Sequence, residues 1–238
     1  VPMNADPKST AAREAFETFL QLGAHGRDWA AWSKLFTDDA LYIEHCMGVF
    51  EGPAGIENYL RTSTESVAGM TFSPEWHIVE GDKVAFWIWN HLPTPPGVDP
   101  AVTEYCFPNL TLLTHAGGQM WSCEEDFYEA AWTRVVFDWF KAGGSSALDP
   151  QPWLVPHQPS HPTPPEPAPE RFLVAAAMAA NAPEGSTLRY DVVEGSVGVG
   201  VFDTPERAYA VVVHVDQHGA VPLAQVVCNS DETTNKAL

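Results

Sequence analysis

Basic residues are scarce. Lys and Arg number 12 against 31 Asp and Glu, which leaves 238 residues with a formal net charge of −19. The chain therefore has no basic run with which to displace counterions from phosphates, and anionic membrane surfaces repel it. Nucleic acid and membrane are set aside as partners. No stretch reaches the roughly 20 consecutive apolar residues that a spanning helix needs. The opening VPMNADPKST also lacks the apolar centre of a secretion signal, so the expected location is cytoplasmic. Cys46, Cys106, Cys123 and Cys228 are scattered with no CxxC pair, and read as four buried thiols rather than a disulfide framework or a zinc site. Walker, HExxH and GxSxG signatures are missing. The closely spaced Gly195, Gly198 and Gly200 lie between strand-like runs rather than opening a helix, which makes them spacers, not a phosphate cradle. His157 with His161 and His214 with His218 have a spacing that pairs ligands only on a helix, and neither pair sits in a helical pattern. No cofactor and no metal are expected.

What is present is apolar and aromatic: 45% of residues are hydrophobic and nine are Trp, enough for at least one sizeable core. All nine Trp fall at or before Trp153, whereas nine of the 21 prolines crowd between Pro150 and Pro169. Proline at that density favours an extended, semi-rigid spacer. The expected organisation is a first unit over residues 1–145, a Pro-rich linker over 146–170 and a small helix-plus-strands unit over 171–238. With no Trp after Trp153, the last unit has a thin core and should dock on the first unit or on a partner subunit.

In the first unit, Ala12, Ala15, Phe16, Phe19 and Leu20 recur at helical spacing after Ser9, a potential cap. Asp28 opens a second short helix, and Gly52-Pro53 starts a third. Between these the period becomes two. Leu41, Ile43 and His45 alternate onto one face of a strand, with Tyr42 and Glu44 on the other. FSPEWHIVEGDKVAFWIWNHL reads as a hairpin around Gly81-Asp82, with Glu80 opposite Lys83 and His77 opposite Phe86. Continued without interruption, that register pairs Glu75 with Ile88 and Ser73 with Asn90, and puts Phe72, Trp76, Trp87, Trp89 and His91 on one aromatic face. Two more strands and a helix carrying Trp132, Val136 and Trp139 complete an α+β unit. In the second unit a helix from Arg171 to Ala180 precedes four strand-like runs.

Polar residues that share a strand face with apolar neighbours are the candidates for chemistry. His45, in phase with Leu41 and Ile43, is expected to point inward, where an imidazole can give or take a proton near neutral pH. Glu125 alternates in phase with Trp121, Cys123 and Phe127. A carboxylate on an apolar face must be paired, and its desolvation raises its pKa toward the useful range. Both residues also have plain structural readings, a satisfied core histidine and a rim salt bridge. Asn90 and His77 share the mixed face of the hairpin and can orient a polar ligand atom, and Asn109 lies near them or satisfies a bulge at Pro108. Ile43, Phe86, Ile88 and Trp121 complete the expected ligand pocket. The Trp76, Trp87 and Trp89 stripe lines either a pocket or an interface, and an open aromatic face of this kind is usually covered by another subunit, so a homodimer is expected.

The run AWSKLFTDDALYIEHCMGVFEGPAGIENYL, together with EWHIVEGDKVAFWIWNHL, FPNLTLL and WSCEEDFY, resembles the nuclear-transport-factor-2-like (SnoaL-like) superfamily over about residues 8–142. The resemblance implies a cone-shaped unit of helices against a bent antiparallel sheet, carrying a smaller C-terminal α+β appendage that it does not cover. It also implies a place among ketosteroid isomerases, scytalone dehydratase, polyketide cyclases and limonene epoxide hydrolase, alongside members that only bind or dimerise. Phe36-Thr37-Asp38-Asp39-Ala40 matches the segment before the first strand of the isomerases, so His45 falls near the place of their catalytic aspartate. The Asp-Arg-Asp arrangement of the epoxide hydrolase has no counterpart, because Arg13, Arg27, Arg61 and Arg134 lie on no expected strand. The resulting expectation is a cofactor-independent isomerase, dehydratase or cyclase. It acts on a small apolar oxygenated molecule, with His45 and Glu125 as the acid/base pair and Asn90 as the positioning group. The alternative is a non-catalytic ligand-binding or interaction protein.

Overall fold

The computed structural model describes residues 6–128, 132–150 and 169–228. Most of the proline-rich segment, with Trp153, His157 and His161, lies outside them, as does the end of the chain after Cys228. Among the described residues no helix is long and apolar enough to cross a membrane.

Helix α1 (Pro7–Leu20) starts one turn earlier than Ser9 suggests. The Asp6 carboxylate accepts the backbone N–H groups of Lys8 and Ser9, with proline at the first helical position. Ser9, inside the helix, instead accepts the Gly81 N–H on its hydroxyl at 2.8 Å and so ties α1 to the hairpin. Asp28 caps α2 (Trp29–Trp32) by accepting the Ala31 N–H. Strands β1 (Phe36–Glu44) and β2 (Gly48–Glu51) and helix α3 (Gly52–Ser63) follow, then β3 (Thr71–Glu80), β4 (Lys83–His91), β5 (Cys106–Gly117), β6 (Met120–Tyr128) and α4 (Trp132–Lys141). These six strands form one sheet in the order β2-β1-β6-β5-β4-β3. It is mixed, not antiparallel throughout, because β1 runs parallel to β6. Such a pair needs a long crossover, here the whole stretch from β2 to β5.

Helices α1 to α3 cover one face of this sheet around Phe16, Phe19, Trp32, Ile56, Phe86 and Trp121. The other face is covered by the chain itself. Helix α5 (Arg171–Asn181) and strands β7 (Thr187–Glu194), β8 (Val197–Asp203), β9 (Ala208–His214) and β10 (Leu223–Cys228) form a separate antiparallel sheet in the order β10-β9-β8-β7, with α5 against its far side. Val199, Val201, Ala210 and Val212 of this second sheet pack on Ile78, Ala85, Trp87, Leu110, Leu112 and Phe127 of the first, the face-to-face arrangement of a sandwich. The layers therefore run helices, sheet, sheet, helix. The aromatic stripe that motivated a second subunit is filled from within: Trp87 is buried and stacks on Trp76, and Trp76 and Trp89 pack into the same cluster.

Two bulges set which side chains face which layer. The hairpin turns at Gly81, whose φ of +60° suits the first place of a type II′ turn, and Glu80 and His77 pair with Lys83 and Phe86 as expected. Past Trp76 the register slips, so that Pro74, not Glu75, faces Ile88 and Phe72, not Ser73, faces Asn90. Phe72 consequently leaves the aromatic face and joins the helix-side core. The second irregularity is in β6. His115 pairs with Trp121 but Thr114 pairs with Cys123, leaving Ser122 as the extra residue. Trp121 thus faces the helices, and the phase of every residue after it is inverted.

Candidate active site

The inverted phase of β6 sends Glu124, Asp126 and Tyr128 toward the helices, and Cys123, Glu125 and Phe127 toward the second sheet. In β1, Tyr42 and Glu44 are buried while Leu41 is exposed, so His45 is also out of phase with the helix side. Strands β1 and β6 bring Tyr42 beside Glu124 and Glu44 beside Asp126. Strands β5 and β4 add Thr111, Asn109 and Asn90 on the same face. Above this polar floor lies a cavity of about 410 Å³, whose apolar walls include Phe19, Trp29, Tyr59, Phe86, Ile88 and Trp132. It reaches solvent beside Met47 and Phe140, both more than 40% exposed. No Lys, Arg or His is among the described residues that line it.

The floor is one hydrogen-bond network. Asn90 donates from Nδ2 to the Phe107 carbonyl at 3.2 Å and to Asn109 Oδ1 at 2.8 Å. Asn109 donates from Nδ2 to Thr111 Oγ1 at 2.9 Å and to Asp126 Oδ1 at 3.3 Å. The Thr111 hydroxyl makes a short bond to Asp126 Oδ1, and the Tyr42 hydroxyl donates to Oδ2 at 2.5 Å. Asp126 is therefore fixed by three donors, with a second lone pair on Oδ2 left for a ligand. Burial pushes its carboxyl up to about 6, and the bonds from Thr111 and Tyr42 hold it from rising further. Glu44 accepts the Cys46 N–H on Oε1 at 3.0 Å, and its Oε2 lies 3.4 Å from the Tyr59 hydroxyl. Burial, with the nearby Asp126 charge, raises it to about 8. Glu124, fully enclosed, is raised well above the carboxylate range by burial and by Asp126. Its Oε2 has no hydrogen-bond partner among the described residues. At neutral pH the floor thus holds one ionised carboxylate, Asp126, beside two protonated acids.

The residues expected from sequence divide between this cavity and other places. Asn90, Phe86, Ile88 and Asn109 line it. His45 and Glu125 meet, His45 Nε2 lying 2.8 Å from Glu125 Oε1, but against the second sheet and outside the cavity. There the Glu125 carboxylate accepts both oxygens' worth of bonds from Arg189 at 2.9 Å and one from the Tyr190 hydroxyl at 3.0 Å, and the His45 ring packs on Phe127. Arg189 also binds Asp203. Burial pushes the Glu125 carboxyl up, but His45 and Arg189 outweigh it and hold it below the ordinary value. Glu125 and Arg189 form an ionic tie between the two sheets. Ile43 follows the outward phase of β1, Trp121 is fully buried in the helix-side core, and His77 sits 3.0 Å from Arg13 Nη1 against Phe16; none of the three lines the cavity. Sequence reasoning passed over Tyr42, Glu44, Glu124 and Asp126. Their signal was present as acid and hydroxyl residues two apart on neighbouring strands, but the bulge at Ser122 hid the phase of Glu124 and Asp126, and in β1 the apolar Leu41 and Ile43 drew the inward assignment away from Tyr42 and Glu44.

Comparison with known proteins bears on the first sheet and its helices. The model of the SnoaL-like domain family matches residues 13–122. This stretch is a SnoaL-like domain. Among solved structures, the chain is similar to a hypothetical protein of ketosteroid isomerase-like fold from Catenulispora acidiphila, solved with trimethylamine, at 18% identity over 56% of this chain and 96% of that one, TM-score 0.42. It is also similar to a candidate SnoaL-like polyketide cyclase from Jannaschia sp. CCS1, at 20% identity over 61% and 98%, TM-score 0.46. A third is an NTF2-like protein of unknown function from Burkholderia pseudomallei, at 13% identity over 53% and 97%, TM-score 0.45. No curated protein matches the sequence. The SnoaL-like match ends just before Glu124, so the acidic residues of β6 and the whole second sheet lie beyond it.

Proposed function

We propose that the cavity of the SnoaL-like domain carries out cofactor-independent proton transfer on a small apolar oxygenated molecule, of the isomerase, dehydratase or cyclase type. The observation that supports this most directly is the pairing of Asp126, at about 6, with Glu44, at about 8, on the floor of an apolar cavity. Two carboxyls pushed apart around neutral pH divide the labour of base and acid. Asp126 Oδ2 takes a proton from carbon next to a substrate carbonyl while protonated Glu44 shares its proton with the carbonyl oxygen. Returning the first proton at another carbon, or expelling a hydroxyl with it, restores both groups. Asn90 and Tyr42 orient the oxygenated end, and the aromatic wall takes the apolar remainder.

The test needs no knowledge of the natural substrate. A panel of small apolar ketones and enols is incubated with the full chain in D2O, and exchange of the protons beside the carbonyl is followed by NMR. Accelerated exchange, falling by at least about a hundredfold in Asp126→Asn with ligand binding retained, supports the reading. A panel member that binds the cavity without any acceleration, or exchange unchanged in Asp126→Asn, overturns it, and the first result makes the protein a carrier.

A further inference from the structure

His91 closes β4 and Cys106 opens β5, and the two are register partners in the antiparallel pair. Partners in such a pair project to the same side, and Glu104, in the loop that leads into β5, reaches His91 with its carboxylate. The three offer one nitrogen, one carboxylate oxygen and one sulfur, all within 4.8 Å of one another. Three atoms at that separation lie within a circle of radius no more than about 2.8 Å, so movements of under about 1 Å bring each to the 2.0–2.3 Å of a zinc bond. The closest approach already exists, with His91 Nδ1 2.9 Å from Glu104 Oε1. His91 is buried, whereas the Glu104 side chain is 19% exposed and gives a way in from solvent. From these positions we propose that His91, Glu104 and Cys106 form a binding site for a divalent ion of the zinc class.

The donor set chooses the metal. A thiolate with an imidazole and a single carboxylate suits Zn2+ or Co2+, whereas Mg2+ and Ca2+ demand oxygen. Zn2+ against one thiolate and one carboxylate is neutral overall, so a partly buried site carries no residual charge. Three protein ligands leave a fourth position for water. This group is separate from the cavity, although Asn90, Leu92 and Phe107, its chain neighbours, line that cavity. A metal here pins the ends of β4 and β5 that carry Asn90 and Asn109. The motif is invisible as spacing, because residues 91, 104 and 106 form no ligand signature until the strands pair.

The full chain, stripped with a chelator, is titrated with Co2+ alone and then challenged with Zn2+. The expected result is one Co2+ per chain with thiolate-to-metal charge-transfer absorption, displaced by stoichiometric Zn2+. Cys106→Ser should abolish that absorption, and His91→Gln and Glu104→Gln should each weaken binding by at least about a hundredfold. Circular dichroism confirms that each variant is folded. If His91→Gln destabilises the chain, Glu104→Gln, at a partly exposed ligand, still decides the matter. No charge-transfer band in the wild type, or Co2+ binding equal in the wild type, Cys106→Ser and Glu104→Gln, overturns the site and leaves only loose association with the acidic surface.

Discussion

Glu44→Gln should make the protein more stable in mild alkali, the opposite of the usual result of altering a buried, bonded residue. The Glu44 carboxyl titrates at about 8 in the folded chain against 4.5 when unfolded. Between those values the folded state holds a proton that the unfolded state has lost, so stability falls as pH rises. The contribution is whole below about 4.5 and spent above about 8. At about 1.4 kcal/mol per pH unit for one proton, the interval from pH 5 to pH 8 sets a ceiling of about 4 kcal/mol. Part of the repulsion belongs to Asp126, and local relaxation trims the rest, leaving about 2–3 kcal/mol. Gln has the shape and neutrality of the protonated acid and keeps an acceptor for the Cys46 N–H, so it escapes this loss. Urea denaturation of the full chain at pH 5, 6, 7 and 8 measures it. The variant should match the wild type within about 0.5 kcal/mol at pH 5 and exceed it by about 2–3 kcal/mol at pH 8, roughly 1 M in midpoint for a chain of this size. A midpoint difference that stays constant from pH 5 to pH 8 would refute the placement of a protonated Glu44 on the cavity floor.

Other expectations concern the joint between the sheets. Trp87→Ala, at a ring that is 1% exposed between the two sheets, should cost about 3–5 kcal/mol by denaturant titration; a loss under 1 kcal/mol would mean the sheets do not pack there. Glu125→Gln should cost about 1–3 kcal/mol at pH 7, since it weakens a buried carboxylate's bonds to Arg189 and His45. Because the folded Glu125 titrates below the ordinary 4.5, the difference should hold above that pH and close only as pH falls through it. A gap that closes near neutrality would place the titrating group elsewhere. The same variant should leave cavity-dependent proton exchange within about twofold of wild type, whereas Asp126→Asn should not.

How far the chain can be read without coordinates depends on where strands are regular. The order of helices and strands, the Asp28 cap, the turn at Gly81 and the pairing of Glu80 with Lys83 all follow from local chemistry, and strict alternation succeeds along the whole of β4, from Val84 toward the helices to Asn90 on the cavity floor. It fails where a strand carries one residue too many. At Glu75 the slip moves Phe72 to the other face, and at Ser122 it separates Trp121 from Glu125. Each slip turns over every residue beyond it, which is why Glu125 was expected in the cavity and Asp126 was not. In β1 alternation holds, but the apolar Leu41 and Ile43 take the outward phase and Tyr42 and Glu44 the buried one, so His45 lies on the opposite side from that expected. The parallel joining of β1 to β6 is likewise a long-range choice that no local pattern encodes.

The three consecutive acids of β6 show what decides the phase. Glu124 and Asp126 must face one way and Glu125 the other, and burying a carboxylate without partners is costly on either side. Inward, Thr111, Tyr42 and Asn109 are arranged for Asp126; outward, Arg189, Tyr190 and His45 are arranged for Glu125. Sliding β6 by one residue would still leave an acid opposite Arg189, but it would set either Asp126 in the place of Phe127 within the apolar joint or Phe127 in the place of Asp126 beside Thr111, Tyr42 and Asn109. The second sheet therefore does more than cover Trp87, Leu110, Leu112 and Phe127. Through Arg189 and Tyr190 it also bonds Glu125, the outward-facing member of the three acids. The bonds of Glu125 to His45, Arg189 and Tyr190 and those of Asp126 to Thr111, Tyr42 and Asn109 thus favour the same phase of β6, the one that sets Asp126 on the cavity floor.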